Sequence, residues 1–131
     1  GRIVFISSES ALPIPEEMIH YGMTKSAQLS VARGLAELTA GTRVTVNSVL
    51  PGPTWSEGVS GFIEQMADEQ GVTVEEAEAE FFDTARPTSL LRRFIDPEEV
   101  GHFVAYICSP LASATNGAAL RVDGGVVRAM A

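Results

Sequence analysis

Continuous runs of β-branched and aromatic residues alternate along this chain with stretches of helical apolar spacing, and their order predicts the architecture. Ile3-Val4-Phe5-Ile6 is unbroken apolar sequence, the mark of a strand covered on both faces, as in parallel sheets. Ser7-Ser8-Glu9-Ser10 ends it, and Pro13 and Pro15 keep the next residues out of regular structure. From about Glu17 to Ala40, apolar residues recur at helical spacing through Met23, Ala27, Val31, Leu35 and Leu38, with Gly41 as a C-terminal cap. Val44, Val46, Val49 and Leu50 form a second buried strand, closed by Pro51-Gly52-Pro53. Between Thr54 and Arg93 the pattern predicts two short helices. One carries Phe62, Ile63 and Met66 and stops at Gly71; the other opens with the capping-box spacing Thr73-Val74-Glu75-Glu76 and carries Ala77 and Phe81 before Pro87. Asp96-Pro97-Glu98-Glu99 starts a further helix, with an aspartate cap, proline at the first position and acids at the positive end of the dipole. That helix runs through Val100, Phe103, Val104 and Ile107 to Ser109-Pro110. Ala119 to Val122 is a third strand, stopped by Asp123-Gly124-Gly125. Strands alternating with helices imply an α/β fold: about three parallel strands, flanking helices and a helical insert.

Composition narrows the class. The 131 residues, 45% of them hydrophobic, suffice for one cored domain. A net charge of −8 and a pI of about 4.6 argue against nucleic acid or an anionic membrane surface as a partner. Nine of the seventeen acids lie between Glu57 and Asp83, a segment with no lysine or arginine, so the acidity is local. Cys108 is the only cysteine, which excludes an intrachain disulfide and fits a reducing compartment; its apolar helical setting predicts a core position. No apolar run reaches the length of a membrane span and no signal-peptide pattern opens the chain, so a cytoplasmic protein is expected. Gly1 leads straight into a strand without an initiator methionine, which reads as a start in mid-domain.

The candidate chemistry centres on Lys25, the single lysine among nine basic residues, four positions after Tyr21. Residues i and i+4 share a helix face, so a phenol and a compact ammonium stand side by side. In open parallel sheets, ligands bind at the carboxyl ends of the strands. Ser7 and Ser8 lie at the end of the first strand, Pro51-Gly52-Pro53-Thr54 at the end of the second, and Tyr21 and Lys25 in the early turns of the helix between them. A hydroxyl, a phenol, an ammonium and a turn therefore face one crevice. His20 and His102 are far apart, with no cysteine or histidine at ligand spacing, so no metal site is expected. A hydrolytic triad is disfavoured for want of a G-x-S-x-G elbow. Ser7 and Ser10 are assigned to turn and capping roles, and Glu9, Glu16 and Glu17 to solvent.

Four motifs in order resemble the short-chain dehydrogenase/reductase family. They are Tyr21-x-x-x-Lys25, Ser8 thirteen residues before the tyrosine, Asn47-Ser48-Val49-Leu50-Pro51-Gly52 as N-x-x-x-P-G, and Asp123-Gly124-Gly125. The resemblance spans residues 1–131 but only the C-terminal half of the family's Rossmann-type domain. The family's glycine-rich turn (T-G-x-x-x-G-x-G), its ribose selector, its N-A-G segment and its catalytic asparagine have no counterpart here, and Asn116 stands in the wrong place to replace the last. The resemblance implies an NAD(P)-dependent oxidoreductase in the intact parent, with this chain inactive alone. Tyr21 would be the general acid or base, Ser8 would hold the substrate oxygen, and Lys25 would bind the nicotinamide ribose and favour ionisation of the phenol. Tyr21, Lys25, Pro51, Gly52, Thr54 and Ser56 would form the cofactor's nicotinamide side, for NAD or NADP, and the substrate would be a small carbonyl compound or alcohol. Residues 57–92 occupy the substrate-loop position. Trp55, Phe62, Phe81 and Phe82 there either line an apolar pocket or pack a helical hairpin on the body. The alternative reading is a non-catalytic oligomerisation or binding module, since the long helix and last strand commonly make dimer and tetramer contacts in this family. The outer edge of the first strand is expected to associate with another strand or to need an upstream segment.

Overall fold

The computed structural model describes residues 1–130. Three strands, β1 (Arg2–Ile6), β2 (Thr45–Pro51) and β3 (Ala119–Val122), form one parallel sheet in the order β1-β2-β3. Ile3 pairs with Val46, Ile6 with Val49 and Leu50 with Arg121, which brings the carboxyl ends of all three strands to one edge. Central β2 is buried from Thr45 to Leu50, whereas β1, hydrogen-bonded on one side only, leaves Ile3 and Ile6 exposed. Two asparagines hold β3 in place. Asn47 donates to the Thr115 carbonyl (2.9 Å) and accepts from the Ala118 amide (3.1 Å), while Asn116 accepts from the Val46 amide (2.8 Å). The N-x-x-x-P-G asparagine is thus a clamp between β2 and the approach to β3, a role that needs a buried side chain with both donor and acceptor.

Helix α1 (Ile19–Leu38) connects β1 to β2 and packs on both strands. Of the expected apolar stripe only Leu35 packs against the core. Met23, Ala27, Val31 and Leu38 are exposed, and the face against the sheet is built from Ala32 and Ala36, flanked by Leu35, with Val46 and Phe5 opposite the alanines; buried Gly22 faces the loop after β1. Small side chains bring the helix axis close to the sheet, so proximity rather than hydrophobic bulk selects that face. Gly41, with φ +76°, makes the left-handed turn two residues beyond the cap at Thr39.

The insert follows the sequence pattern closely. Helix α2 (Glu57–Gln70) ends at left-handed Gly71, and α3 (Val74–Thr84) opens with the complete Thr73–Glu76 capping box. Helix α4 (Pro97–Cys108) has the Asp96–Glu99 box and proline in its first turn, and packs on β1. Ile63, Ala67, Ala77, Phe82 and Phe94 give α2 and α3 a core of their own, separate from the cluster beneath α1. Cys108 corrects its assignment: it is exposed in the last turn of α4, and the buried position is Ile107. Among the described residues no helix is long and apolar enough to cross a membrane.

Candidate active site

Backbone docking sets the first part of the site. Beyond β1, residues Ser7 to Leu12 turn back onto the first turns of α1. The Ser7 hydroxyl donates to the Lys25 carbonyl (2.9 Å), and the Ser26 hydroxyl donates to the Ala11 carbonyl (2.7 Å). Gly22 makes the approach possible, because a Cβ there would sit 2.6 Å from Ile14 Cγ2 and 2.9 Å from the Ser10 carbonyl oxygen. Ser8 and Tyr21 consequently line the same cavity, of about 1150 Å³. Its other walls are largely apolar, from Ile14, Met18, Val59, Phe62, Met66 and Phe81. The insert aromatics divide between the two roles that sequence left open. Phe62 and Phe81 reach the cavity, while Phe82 is core and Trp55 packs on Phe94 at a tilt of 56° with centroids 5.1 Å apart. Phe94 itself serves both core and cavity, and its short segment without periodicity carries no sequence signal for either.

Lys25 places its ammonium 5.5 Å from the centroid of the Tyr21 ring, as the i, i+4 spacing requires. The ammonium donates to the Ile6 carbonyl at the end of β1 (3.2 Å) and, at longer range, to Gln28 Oε1 (3.5 Å). The turn after β2 behaves differently from the serine loop. Gly52 donates its amide to the Val122 carbonyl (2.9 Å), and a Cβ on it would fall 2.6 to 2.9 Å from three backbone atoms of Asp123. Close packing of two strand ends is therefore sufficient reason for this glycine. Pro53, rather than Pro51 or Gly52, lines the cavity; the Thr54 hydroxyl donates to the Gly52 carbonyl (2.9 Å), and Ser56 precedes α2 without a side-chain cap bond. Asp123 accepts from the amides of Gly125 and Val127, which fixes the D-G-G turn beside it.

Glu9 corrects a second expectation. Instead of facing solvent it is 4% exposed. Its Oε2 accepts the hydroxyls of Ser8 (2.7 Å) and Ser10 (2.8 Å), and its Oε1 accepts Arg86 Nε (3.4 Å). The same guanidinium reaches Glu17 (3.3 Å). Glu17 and Glu16 remain exposed as expected, and Glu17 is held below the usual carboxylate range by its own backbone amide and then, against slight desolvation, by Arg86. Ser8, not Ser10, caps the short turn, accepting the Ser10 amide at 3.1 Å. Among the described residues no group of three or more histidines, cysteines or acids could hold a metal ion.

Known proteins share both the sequence and this arrangement of elements. A family model described as enoyl-(acyl carrier protein) reductase matches residues 1–127. An uncharacterized oxidoreductase of Bacillus subtilis (strain 168), YvaG, is 53% identical over 130 residues, which is 99% of this chain and 49% of that protein. L-sorbose reductase from Gluconobacter frateurii, solved with NADPH and L-sorbose, superposes with a TM-score of 0.90 at 24% identity, over 99% of this chain and 48% of that one, and shares the fold. Actinorhodin polyketide ketoreductase, solved with NADPH, gives a TM-score of 0.81 at 31% identity, over 98% and 48% of the two chains. The chain spans about half the length of the curated relatives it matches. With a family model matched along nearly all of it and a relative more than half identical, the chain belongs to the short-chain dehydrogenase/reductase family.

Proposed function

We propose that residues 1–131 are the C-terminal, catalytic half of a Rossmann-type domain in an NAD(P)-dependent oxidoreductase that acts on a small carbonyl compound or alcohol. The observation that carries this reading is the meeting of the Ser8 hydroxyl and the Tyr21 phenol on one cavity, with the chain's only lysine against the tyrosine ring. Tyr21 gives its proton to a carbonyl oxygen in reduction and takes one from the alcohol in oxidation. Ser8 holds the same oxygen. The largely apolar walls accommodate the body of the substrate.

The fit to a nicotinamide dinucleotide extends to one end of that molecule. An ammonium has three protons, and the two contacts of Lys25 leave one for a ribose hydroxyl. Tyr21 lies beside it, and Pro51, Gly52, Thr54 and Ser56 at the end of β2 are assigned to the nicotinamide side. No glycine-rich turn opening a helix occurs in these residues, so the pyrophosphate end finds no cradle among them. When bound, the dinucleotide supplies or takes up the hydride. The test compares this chain with the full-length protein for consumption of NADH or NADPH with a panel of ketones. Turnover by the full-length protein and none by residues 1–131 supports the reading. A full-length protein that binds neither NAD(H) nor NADP(H) overturns it.

A second reading has its own observation. The outer face of α1 exposes Ile19, Met23, Val31 and Leu38 in one helical stripe. We assign this face to contact with a second copy of the chain, giving a dimer or tetramer. Val31→Glu should then lower the mass seen by light scattering, and an unchanged mass contradicts the assignment.

A further inference from the structure

The cavity wall nearest the serine contains a group that the proposed reaction does not use. Glu9 is buried, and it engages the Ser8 hydroxyl, the Ser10 hydroxyl and the Arg86 guanidinium at once. The bonds leave Ser8 with one orientation: its proton points to Glu9 Oε2 and one lone pair accepts the Ser10 amide, so a single lone-pair direction remains. Arg86 follows α3 in the insert, is itself mostly buried, and rests against the Phe81 ring at 5.9 Å. It therefore joins the segment that walls the cavity to the loop that carries the serine, across two separately cored parts of the molecule.

We propose that Glu9 is a positioning residue for Ser8, and that Arg86 keeps it in place, so that seating the insert and orienting the serine are one event. The inference rests on reading Ser8 as the hydroxyl that meets the substrate oxygen. A charge-assisted bond at 2.7 Å is strong enough to set the rotamer of a serine hydroxyl against thermal averaging. Burial raises the stakes for Glu9 in particular, since its carboxylate has little water to replace a lost partner. In the state described, Ser8 turns a lone pair, not its proton, toward the cavity. To donate to a carbonyl oxygen it must turn its proton away from Glu9, and the pull of Arg86 on the carboxylate governs how easily it does so.

The experiment is a mutant cycle in the full-length protein, read as kcat and KM separately. Glu9→Gln keeps the volume of the side chain and removes its charge; Arg86→Met removes the guanidinium and keeps the stem. Each is made in the native background and in Ser8→Ala, with thermal unfolding recorded for all. Both substitutions should lower kcat about 10- to 100-fold with KM changed less than about threefold when Ser8 is present. In the Ser8→Ala background the same substitutions should lower kcat less than about twofold, because the group they act through has gone. Equal losses in both backgrounds overturn the proposal and assign Glu9 and Arg86 to structure alone. If Ser8→Ala by itself leaves kcat intact, the assignment of Ser8 fails, and that result is distinct from equal losses on top of a large Ser8→Ala effect. Should Glu9→Gln lower the unfolding temperature sharply, the Arg86→Met arm decides by the same comparison.

Discussion

Replacing Gly22 with alanine sets two well-known effects against each other. In a free helix the change is favourable by about 1 kcal/mol, because glycine is the poorer helix former. Here the new Cβ would lie 2.6 Å from Ile14 Cγ2 and 2.9 Å from the Ser10 carbonyl oxygen. The Ile14 side chain is half exposed and can turn aside. The Ser10 carbonyl is backbone, in a turn capped by Ser8 and packed around buried Glu9, and it yields only if the whole loop moves. Overpacking of that kind costs about 1 to 3 kcal/mol. The net expectation is destabilisation of about 1 kcal/mol, seen as a lower urea midpoint for the full-length protein. The catalytic effect should be larger than the stability effect. A displacement approaching 1 Å at the serine can reduce turnover about 100-fold, so a loss of at least about tenfold in kcat is expected. A Gly22→Ala protein as stable as the native one, with unchanged kcat, refutes the claim that this contact places Ser8.

Two further predictions concern regions away from the serine loop. Glu99 has its pKa lowered from 4.5 to about 2, first by the Arg93 guanidinium and then by the Asp96 amide. A depressed carboxylate stabilises the fold above its unfolded pKa, so this contribution should fade as pH falls from about 4.5 toward 2. A carboxyl NMR titration of Glu99 with a midpoint near the ordinary value would contradict the bidentate contact with Arg93. Cys108 is exposed, so an aromatic disulfide reagent should modify it in the native protein as fast as in the unfolded one. Marked protection in the native state restores the core position that its sequence pattern suggests.

Local chemistry made much of this architecture readable. The capping boxes at Thr73 and Asp96 and the left-handed glycine at Gly71 each act within a few residues, and the helices they bound lie where expected. The order of strands was equally plain, because β1 and β2 are apolar runs separated by a long helical pattern. Errors arose where distant residues decide. On α1, the sheet selects Ala32 and Ala36 and the serine loop selects Gly22 for closeness, and an apolar spacing pattern gives glycine and alanine little weight. Glu9 resembles an ordinary surface acid until Arg86, 77 positions away, is folded against it. Gly52 answers to a distant constraint as well, because the Asp123 backbone fills the space where its Cβ would be. The nearness of Ser8, Tyr21 and Lys25 was legible because helical spacing and the strand-end rule act on short stretches; the roles proposed for them rest on the family resemblance.

The proposed reaction turns on the Tyr21 phenol, which moves the proton in a carbonyl–alcohol interconversion at this cavity. The most direct measurement is kcat/KM for ketone reduction by the full-length protein and its Tyr21→Phe variant, which removes one oxygen and keeps the ring beside Lys25. A loss of about 100- to 10,000-fold is expected, the range for removing a positioned general acid, with folding and nicotinamide binding retained. Undiminished reduction by Tyr21→Phe would contradict it.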